Sequence, residues 1–550
     1  MANRIGRSRS RRRGAYMAMA GVMATVLMGV SAARADVTDE LLDQLKSKGV
    51  LTKAEYAKLK QRHAAEVAAK HAPGPTGPTG GNGRYVTSLD KGIGFHIPGT
   101  SVVTKDNGVV TVGDVDVKLT GALVFFGAES FKTSYTGTAG LATGPFVPGA
   151  FPPAPIGVGG GVVGGSPYNN SNAIRAGLLP SNVVLSLATN QMGWDLGFTA
   201  GAYFGGNNVF PGAANANGAG SPIGLGTPGI DLRQVFGTIG TPEYGTLKIG
   251  RDLGLFGGDA ILNDFTLFGV GTPAGNAAPG NTSLGRIGLG YVYADWIPQI
   301  TYTTPVWNGF TASVGMFTPL DAINTTDTAA VGFALPGYGP SVGFSSGTMT
   351  AHDQPQFQGK IKYVGQFTPD VKLTAWADGI TQLQRVESGD AVVGGFVPGF
   401  GYTSASPGQS VRSVGVDGGV RVDWGGFSAV GYGYWGSALG TTGLFYAAVS
   451  PNGQARKSSG FYGEAEYTFW DRWTLGGSFG ASYLEANSFD YTQSYVPWMV
   501  RSNQSWIGFT RYKLTDWVAF QAEFIQSRSI SQSAGSAKSN AIVGGTTFFF

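Results

Sequence analysis

The sequence predicts an all-β membrane protein: an antiparallel transmembrane β-barrel of about sixteen strands with a short α-helical extension at its N-terminus. Of the 550 residues only 13% are charged, 89 are glycine and 12% are aromatic, whereas soluble globular chains carry about 25% charged residues and about 7% glycine. Beyond residue 35 the sequence has no run of about 18 uncharged apolar residues that could span a bilayer as a helix. Apolar residues instead alternate with polar ones, which is typical of membrane-barrel strands.

An export signal occupies the first 35 residues. Six arginines between Arg4 and Arg13 precede an apolar run from Ala15 to about Ala33, and Ala33-Arg34-Ala35 forms a small-residue cleavage site. We expect the mature chain to begin near Asp36, with an uncleaved membrane anchor as the alternative.

The charge balance changes once this signal is removed. Residues 1–35 hold seven of the 38 Lys and Arg residues and none of the 34 Asp and Glu residues, so the remainder carries 31 basic against 34 acidic residues. Because a nucleic-acid partner requires a basic patch in the mature protein, the composition disfavours one. Cysteine is absent, which removes disulfides, thiolate nucleophiles and cysteine metal sites from consideration.

Residues 36–71 are the one stretch with a helical pattern and a high charge density. Thr52 and Glu55 have the form of a capping box at the start of the second of two short helices. With fewer than three heptads present, a helical pair that trimerises as a coiled coil and a solvated extension both remain open. Residues 72–84 are a Pro/Gly linker, and the barrel is predicted over 85–550.

Alternation in the barrel region predicts seventeen strands. Their approximate bounds are 109–126, 182–188, 194–204, 231–239, 246–251, 286–293, 299–304, 310–317, 356–367, 371–383, 411–424, 427–435, 461–469, 473–484, 505–513, 517–526 and 541–550. Because single-chain bacterial barrels have even strand numbers, we expect about sixteen, with one prediction wrong or one strand shared between the termini.

The connections between these strands alternate in length. Four tight turns are flanked by aromatics, and they lie at 367–371, 424–427, 470–473 and 514–517. Between the hairpins lie long segments rich in Gly, Ala, Asn, Pro and Ser, at 130–181, 205–230, 319–353, 436–460 and 485–503. Short turns at one end and long loops at the other, with aromatics at strand ends, are typical of an outer-membrane barrel.

Several motifs resemble those of a known family. They are the terminal Phe548-Phe549-Phe550, the segment Gly245-Thr246-Leu247-Lys248-Ile249-Gly250-Arg251-Asp252, the segments 95–100 and 112–119, and the helical 41–45 followed by 48–52. Together they resemble Gram-negative outer-membrane porins, in particular DcaP-like and phosphate-selective porins with an N-terminal periplasmic helical segment. The resemblance implies a sixteen-stranded homotrimer with one pore per subunit and a surface in contact with outer-membrane lipid and lipopolysaccharide.

Placing the apolar positions towards lipid predicts which residues line the lumen. Those predicted to do so are Asp114, Asp116, Lys118, Arg233, Lys360, Lys362, Asp417, Arg421, Asp423, Glu464 and Glu466. For any one of them, a position at the rim or in a turn is the alternative, because a register shift of one residue reverses the face.

The segment at about 252–285 is the candidate constriction loop, because it carries an apolar patch that an exposed loop would not retain. The predicted constriction residues are Lys248, Arg251, Asp252, Asp259, Asp264 and Arg286. Acidic loop residues facing a basic wall would set up a transverse field at the narrowest point. A surface loop like the others is the alternative.

We therefore predict passive diffusion of small hydrophilic solutes or ions, without a cofactor, a metal or a catalytic site. A closed structural or adhesin-like barrel is the alternative. Gly343–Gly347 and Gly476–Gly480 match a hydrolase nucleophile motif, but that motif requires a strand-to-helix turn, and we predict a loop and a strand there. Phosphate selectivity would require a denser set of basic residues than this barrel offers, and its excess of acidic residues disfavours anion specificity.

Overall fold

The computed structural model describes residues 102–105, 109–137, 171–176, 181–204, 214–218, 221–223, 230–267, 269, 285–320, 322, 352–385, 409–450, 452–492, 496–533 and 535–550. The predicted signal peptide (1–35), helical prefix (36–71) and linker (72–84) lie outside the described residues.

The described chain forms twenty-one β-strands. They are β1 (Val102–Lys105), β2 (Val109–Val112), β3 (Val115–Gly137), β4 (Ser171–Ala176), β5 (Asn182–Gln191), β6 (Trp194–Phe204), β7 (Ala214–Gly218), β8 (Ser221–Ile223), β9 (Ile230–Thr241), β10 (Gly245–Leu253), β11 (Trp296–Thr303), β12 (Phe310–Phe317), β13 (Gln356–Thr368), β14 (Val371–Arg385), β15 (Ser410–Trp424), β16 (Phe427–Ser437), β17 (Lys457–Phe469), β18 (Trp473–Glu485), β19 (Val500–Lys513), β20 (Val518–Ser531) and β21 (Gly535–Phe549).

Sixteen of these described strands close into an antiparallel barrel. In order around the wall they are β3, β5, β6, β9 and then β10 through β21, each hydrogen-bonded to the next. The last strand returns to the first, pairing Gly535 with Gly137 at one end and Phe549 with Ala122 at the other. The predicted antiparallel barrel and its strand number are confirmed, whereas the predicted helical extension lies outside the described residues.

The C-terminal residue completes the closing seam. Phe550 donates its backbone N–H to the carbonyl of Gly121 at 3.1 Å and accepts the Gly121 N–H at 2.8 Å. A Cβ at residue 121 would lie 2.4 Å from the Phe550 ring. A glycine is therefore required where the terminal ring packs against the first strand of the wall.

The outer face of the wall is apolar, as alternation predicts. Along β10 and β15, for example, Leu247, Ile249, Val416 and Val420 are exposed while the residues between them point inward. The four predicted tight turns are observed, and their aromatics, among them Trp424, Trp470 and Trp473, are exposed. Amphipathic rings at strand ends suit a membrane interface.

One of the seventeen predicted strands is wrong. Residues 286–293 form turns and isolated bridges instead of a wall strand. Alternating Ile287, Leu289, Tyr291 and Tyr293 suggested a two-sided strand, but each of the residues 285–297 is buried. The segment lies inside the barrel, surrounded by protein on all sides, so its alternation does not reflect a lipid face and a water face.

The described parts of two long connections fold inward. The first, residues 254–267, 269 and 285–295 between β10 and β11, is called the strap below; it contains the short helix α1 (Gly258–Leu262). The second, residues 438–450 and 452–456 between β16 and β17, is called the inner loop. Their apolar side chains join wall residues in one buried hydrophobic cluster. Among the described residues, the helices have five residues or fewer, and none could traverse a bilayer.

Candidate functional site

The strap's helix is fixed to the wall through a buried carboxylate. Asp259, on α1, accepts hydrogen bonds from the ammonium groups of Lys360 at 2.6 Å and Lys362 at 2.5 Å, both on β13. The Asp259 side chain is 2% exposed. Burial alone would raise the pKa of Asp259, but the two lysines outweigh it and lower this pKa to about 2. Asp259 is therefore ionised at neutral pH.

Backbone groups of the strap bind acceptors on three different wall strands. Gln358 on β13 accepts the N–H of Phe256 at 2.9 Å. Asp417 on β15 accepts the N–H of Gly257 at 2.8 Å. Glu464 on β17 accepts the N–H of Phe265 at 2.6 Å. Buried backbone donors need partners, and here polar wall side chains supply them, so the inward face of the wall is shaped to hold the strap.

Asp264 ties the outgoing limb of the strap to its returning limb. Its carboxylate accepts the backbone N–H of Arg286 and the hydroxyl of Tyr291, each at 2.8 Å. It also accepts the N–H and hydroxyl of Thr266. Burial, together with the charge of Asp264, raises the pKa of Tyr291 well above its usual value, so its hydroxyl stays protonated and donates.

Arg286 fixes the returning limb to three successive wall strands. It is fully buried and donates through Nε to Ser478 Oγ at 2.6 Å. Its Nη1 donates to the hydroxyl and carbonyl of Ser505, at 2.6 and 3.0 Å. Glu464 lies 3.7 Å from Nε. A planar guanidinium can serve several acceptors at once, so one side chain joins the strap to β17, β18 and β19.

Aromatic residues on the inward face form a platform under α1. Tyr432 lies beside Trp376 and Tyr462, with ring centroids 6.4 and 5.3 Å apart. Tyr462 donates its hydroxyl to the carbonyl of Ala260 at 2.8 Å. All three rings are buried, so they are not available as stacking surfaces for a passing sugar.

The remaining predicted site residues occupy several environments. Lys248 and Asp252 point inward on β10 and form an ion pair at 2.5 Å. Arg233 is buried and lies 5.3 Å from the ring of Tyr203. Asp116 and Lys118 lie on the inward-facing positions of β3 and are half-buried.

Three further predicted lumen residues, Arg421, Asp423 and Glu466, form ion pairs on the inward face. Arg421 pairs with Asp423 at 3.0 Å, and its guanidinium stacks 4.9 Å above the ring of Phe265. Glu466 pairs with Arg511 at 3.2 Å.

Two predicted residues lie elsewhere than the interior. Arg251 pairs in register with Val235 and Pro298, both exposed on the outer face. Consecutive strand residues point to opposite faces, so Arg251 and Asp252 cannot both face the lumen. Asp114 lies exposed in the tight turn between β2 and β3, because that hairpin ends there.

Neutral polar wall residues that bind the strap were not predicted from sequence. Gln358, Ser478 and Ser505 bind the strap but carry no charge that would single them out. Gln358 shares the inward face of β13 with Lys360 and Lys362, so face assignment could have found it. The described residues contain no group of three or more His, Asp or Glu side chains arranged to hold a metal ion.

A strap folded into a sixteen-stranded membrane barrel is an architecture with known relatives. A family model described as Gram-negative porin matches residues 188–487, which is more than half of the chain. The chain belongs to the Gram-negative porin family. It is an outer-membrane porin, and the family and its fold are those of channels, not of enzymes.

Three solved structures are similar to this chain. The crystal structure of the outer membrane channel DcaP of Acinetobacter baumannii aligns with a TM-score of 0.50 at 12% identity, covering 79% of this chain and 97% of that chain. The anion-selective porin from Comamonas acidovorans aligns with a TM-score of 0.45 at 12% identity, covering 79% and 100%. A trimer form of OmpT from Vibrio cholerae aligns at 0.39 and 10% identity, covering 79% and 99%. No curated protein sequence matches this porin significantly.

Proposed function

We propose that this porin lets small hydrophilic solutes and ions diffuse passively past the strap, which narrows the lumen, and that Asp259, Lys360 and Lys362 are its main polar constriction residues. The observation that carries the proposal is the docking of Asp259 between the two lysines. A strap held by ion pairs with charged wall residues keeps a fixed cross-section, as a size-selective channel requires.

We further propose a weak preference for anions. In the three ion pairs nearest α1 and the start of the strap, the lysine is more exposed than its carboxylate. The exposed side-chain fractions are 16% against 6% for Lys248 and Asp252, 16% against 2% for Lys360 and Asp259, and 32% against 2% for Lys362 and Asp259. A passing ion therefore meets ammonium groups before carboxylates. Asp423 is more exposed than its partner Arg421, 12% against 7%, and Arg511 and Glu466 are nearly equal, at 13% and 12%.

Three expectations from sequence remain part of this proposal. The first 35 residues would direct export and be removed, and the helical prefix would lie in the periplasm. Three copies would associate, each with its own pore, in contact with lipid and lipopolysaccharide.

Single-channel recording in a planar bilayer tests the proposal. We expect the refolded protein to open in groups of three equal steps, with a reversal potential on the anion-selective side under a salt gradient. Lys362→Gln should move that potential towards cations. Lys513→Gln is the matched control, because Lys513 has nearly the same side-chain exposure as Lys362, 33% against 32%, and pairs with Asp516 in a turn at the end of the wall.

The outcomes separate the parts of the proposal. A demonstrably folded barrel that conducts no current would refute diffusion, whereas a conducting barrel with cation preference would refute only the role of the lysines.

A further inference from the structure

The inner loop is buried throughout its first thirteen residues. Residues 438–450 are all buried, and Leu439, Phe445 and Tyr446 among them are completely inaccessible. The sequence predicts a long loop rich in Gly, Ala, Asn, Pro and Ser at 436–460, and a surface loop would expose most of its residues to water. This segment instead lies within the barrel.

It occupies the lumen between the strap and the wall. The carbonyl of Thr442 accepts the N–H of Tyr293, on the returning limb of the strap, at 2.8 Å. On the other side, Leu439 packs where Gly415 of β15 and Gly436 of β16 leave room; a Cβ at either glycine would lie within 3.0 Å of it. The inner loop therefore adds a second layer across the space that the strap already narrows.

The backbone of the inner loop is held in an unfavourable conformation. Four of the nine non-glycine residues with positive φ in the described chain lie here: Ala438, Thr442, Phe445 and Ala447, at 50°, 67°, 65° and 55°. This left-handed region is costly for residues with a Cβ, especially β-branched ones. Such conformations persist only where the surroundings impose them, and they concentrate at functional sites.

One arginine fastens the base of the loop. Arg456 is fully buried and forms a two-pronged ion pair with Asp490, at 2.8 and 2.7 Å. Asp490 belongs to the next connection, between β18 and β19. The backbone of Arg456 bonds that of Ala438 at 2.8 Å and that of Ala448 at 2.9 Å, so this residue ties both ends of the buried stretch to the neighbouring loop.

We propose that the inner loop is a second restriction of the channel, which sets the size of the permeant solute, and that the Arg456–Asp490 pair holds it in the lumen. This inference rests on the proposed diffusion function. The buried stretch carries no charged side chain between residues 438 and 450. It therefore limits size, while the lysines around the strap act on ion charge.

Two variants test it, with conductance and solute-size measurements on the full-length protein in bilayers and liposomes. In the first, two glycines replace residues 440–447. In the second, Asp490→Asn keeps the side-chain size but removes the charge that Arg456 binds. We expect both variants to raise the single-channel conductance. Both should also increase the rate of liposome swelling with a trisaccharide relative to that with a monosaccharide. The loop replacement should have the larger effect on each. The reversal potential should stay at the wild-type value.

Folding is checked by heat-modifiable gel migration. Lys513→Gln again serves as the control, and it should change neither the single-channel conductance nor the relative swelling rate. If the loop replacement destabilises the barrel, the Asp490→Asn variant alone tests whether the inner loop restricts the channel. Unchanged conductance and swelling in folded variants, beside a conducting wild type, would overturn the second restriction and leave the diffusion function intact. A wild type that does not conduct would instead refute the diffusion function itself.

Discussion

The strap and the inner loop both fold into the lumen, yet they are held there by different interactions. The strap is docked through ion pairs and hydrogen bonds, with Asp259 and Arg286 as its main polar contacts to the wall. The inner loop packs through Leu439, Phe445 and other apolar or small residues, with its single buried ion pair at its base. Charges fix the position of one segment and close packing fixes that of the other.

The difference has an energetic meaning. A buried ion pair adds little net stability over an apolar replacement, but removing one partner is costly because the other charge stays buried. Packed apolar residues contribute in proportion to the area they bury and tolerate changes that keep their shape. The strap should therefore respond sharply to single polar substitutions, whereas the inner loop should respond to changes in volume.

The largest effect is expected from Lys360→Gln combined with Lys362→Gln. Asp259 would keep its buried charge without either partner, at a cost of about 3–5 kcal/mol. Urea unfolding in detergent measures this loss, and open-channel noise should rise as the strap loosens. Lys513→Gln, in an exposed pair, should cost less than about 1 kcal/mol. Equal stability of the double variant and the wild type would show that the strap is not held by charge.

A smaller effect is expected from Arg286→Lys. An ammonium group cannot reach both Ser478 and Ser505 as the guanidinium does, and a hydrogen bond to a charged group contributes about 1.5–3 kcal/mol. We expect a loss within that range in the same unfolding assay. Arg412→Lys, at an exposed position with only long contacts to Thr381 and Gln354, is the control. If Arg286→Lys and Arg412→Lys lose the same stability, the buried guanidinium group of Arg286 has no special role.

Thr442→Gly probes the inner loop. Thr442 has a φ of 67°, and its buried hydroxyl has no hydrogen-bond partner in the described part of the chain. Glycine removes the strain of the left-handed conformation, which is worth about 1–2 kcal/mol. It also loses more backbone entropy on folding than threonine does. Because these two effects oppose each other, we expect a free energy of unfolding within about 1 kcal/mol of the wild type. Thr441→Gly, at a residue without positive φ, should be the more damaging change. The reverse order would mean that the left-handed turn is not strained.

The smallest effect concerns pH. The pKa of Asp259 is lowered to about 2 from an ordinary value of 3.8, so its contribution to stability is fully present above pH 4 and is lost as the pH falls towards 2. Asp259 therefore stays ionised between pH 8 and about pH 5. Its contact with Lys360 and Lys362 should cause no change in conductance or noise over this range. Loosening of the strap near pH 6, seen as added noise that Asp259→Asn abolishes, would contradict this assignment.

Much of this porin could be predicted from its sequence. The alternation of apolar and polar residues depends only on the lipid outside and the polar interior. It therefore predicted sixteen wall strands and the tight turns from residues close together in the sequence. It also separated Lys360 and Lys362 from their outward-facing neighbours. The error at residues 286–293 arose because alternation alone cannot distinguish a wall strand from an irregular segment buried inside the barrel.

What the sequence by itself determined is therefore the barrel, the ends of its hairpins and the faces of its strands, since each follows from residues close together along the chain. Only the tertiary structure decided that Asp259 meets Lys360 and Lys362 and that the inner loop is buried. The contacts responsible join residues about one to two hundred positions apart, such as Phe256 with Gln358 and Phe265 with Glu464. Such pairings depend on where the closed wall brings distant strands together, and no local pattern records that.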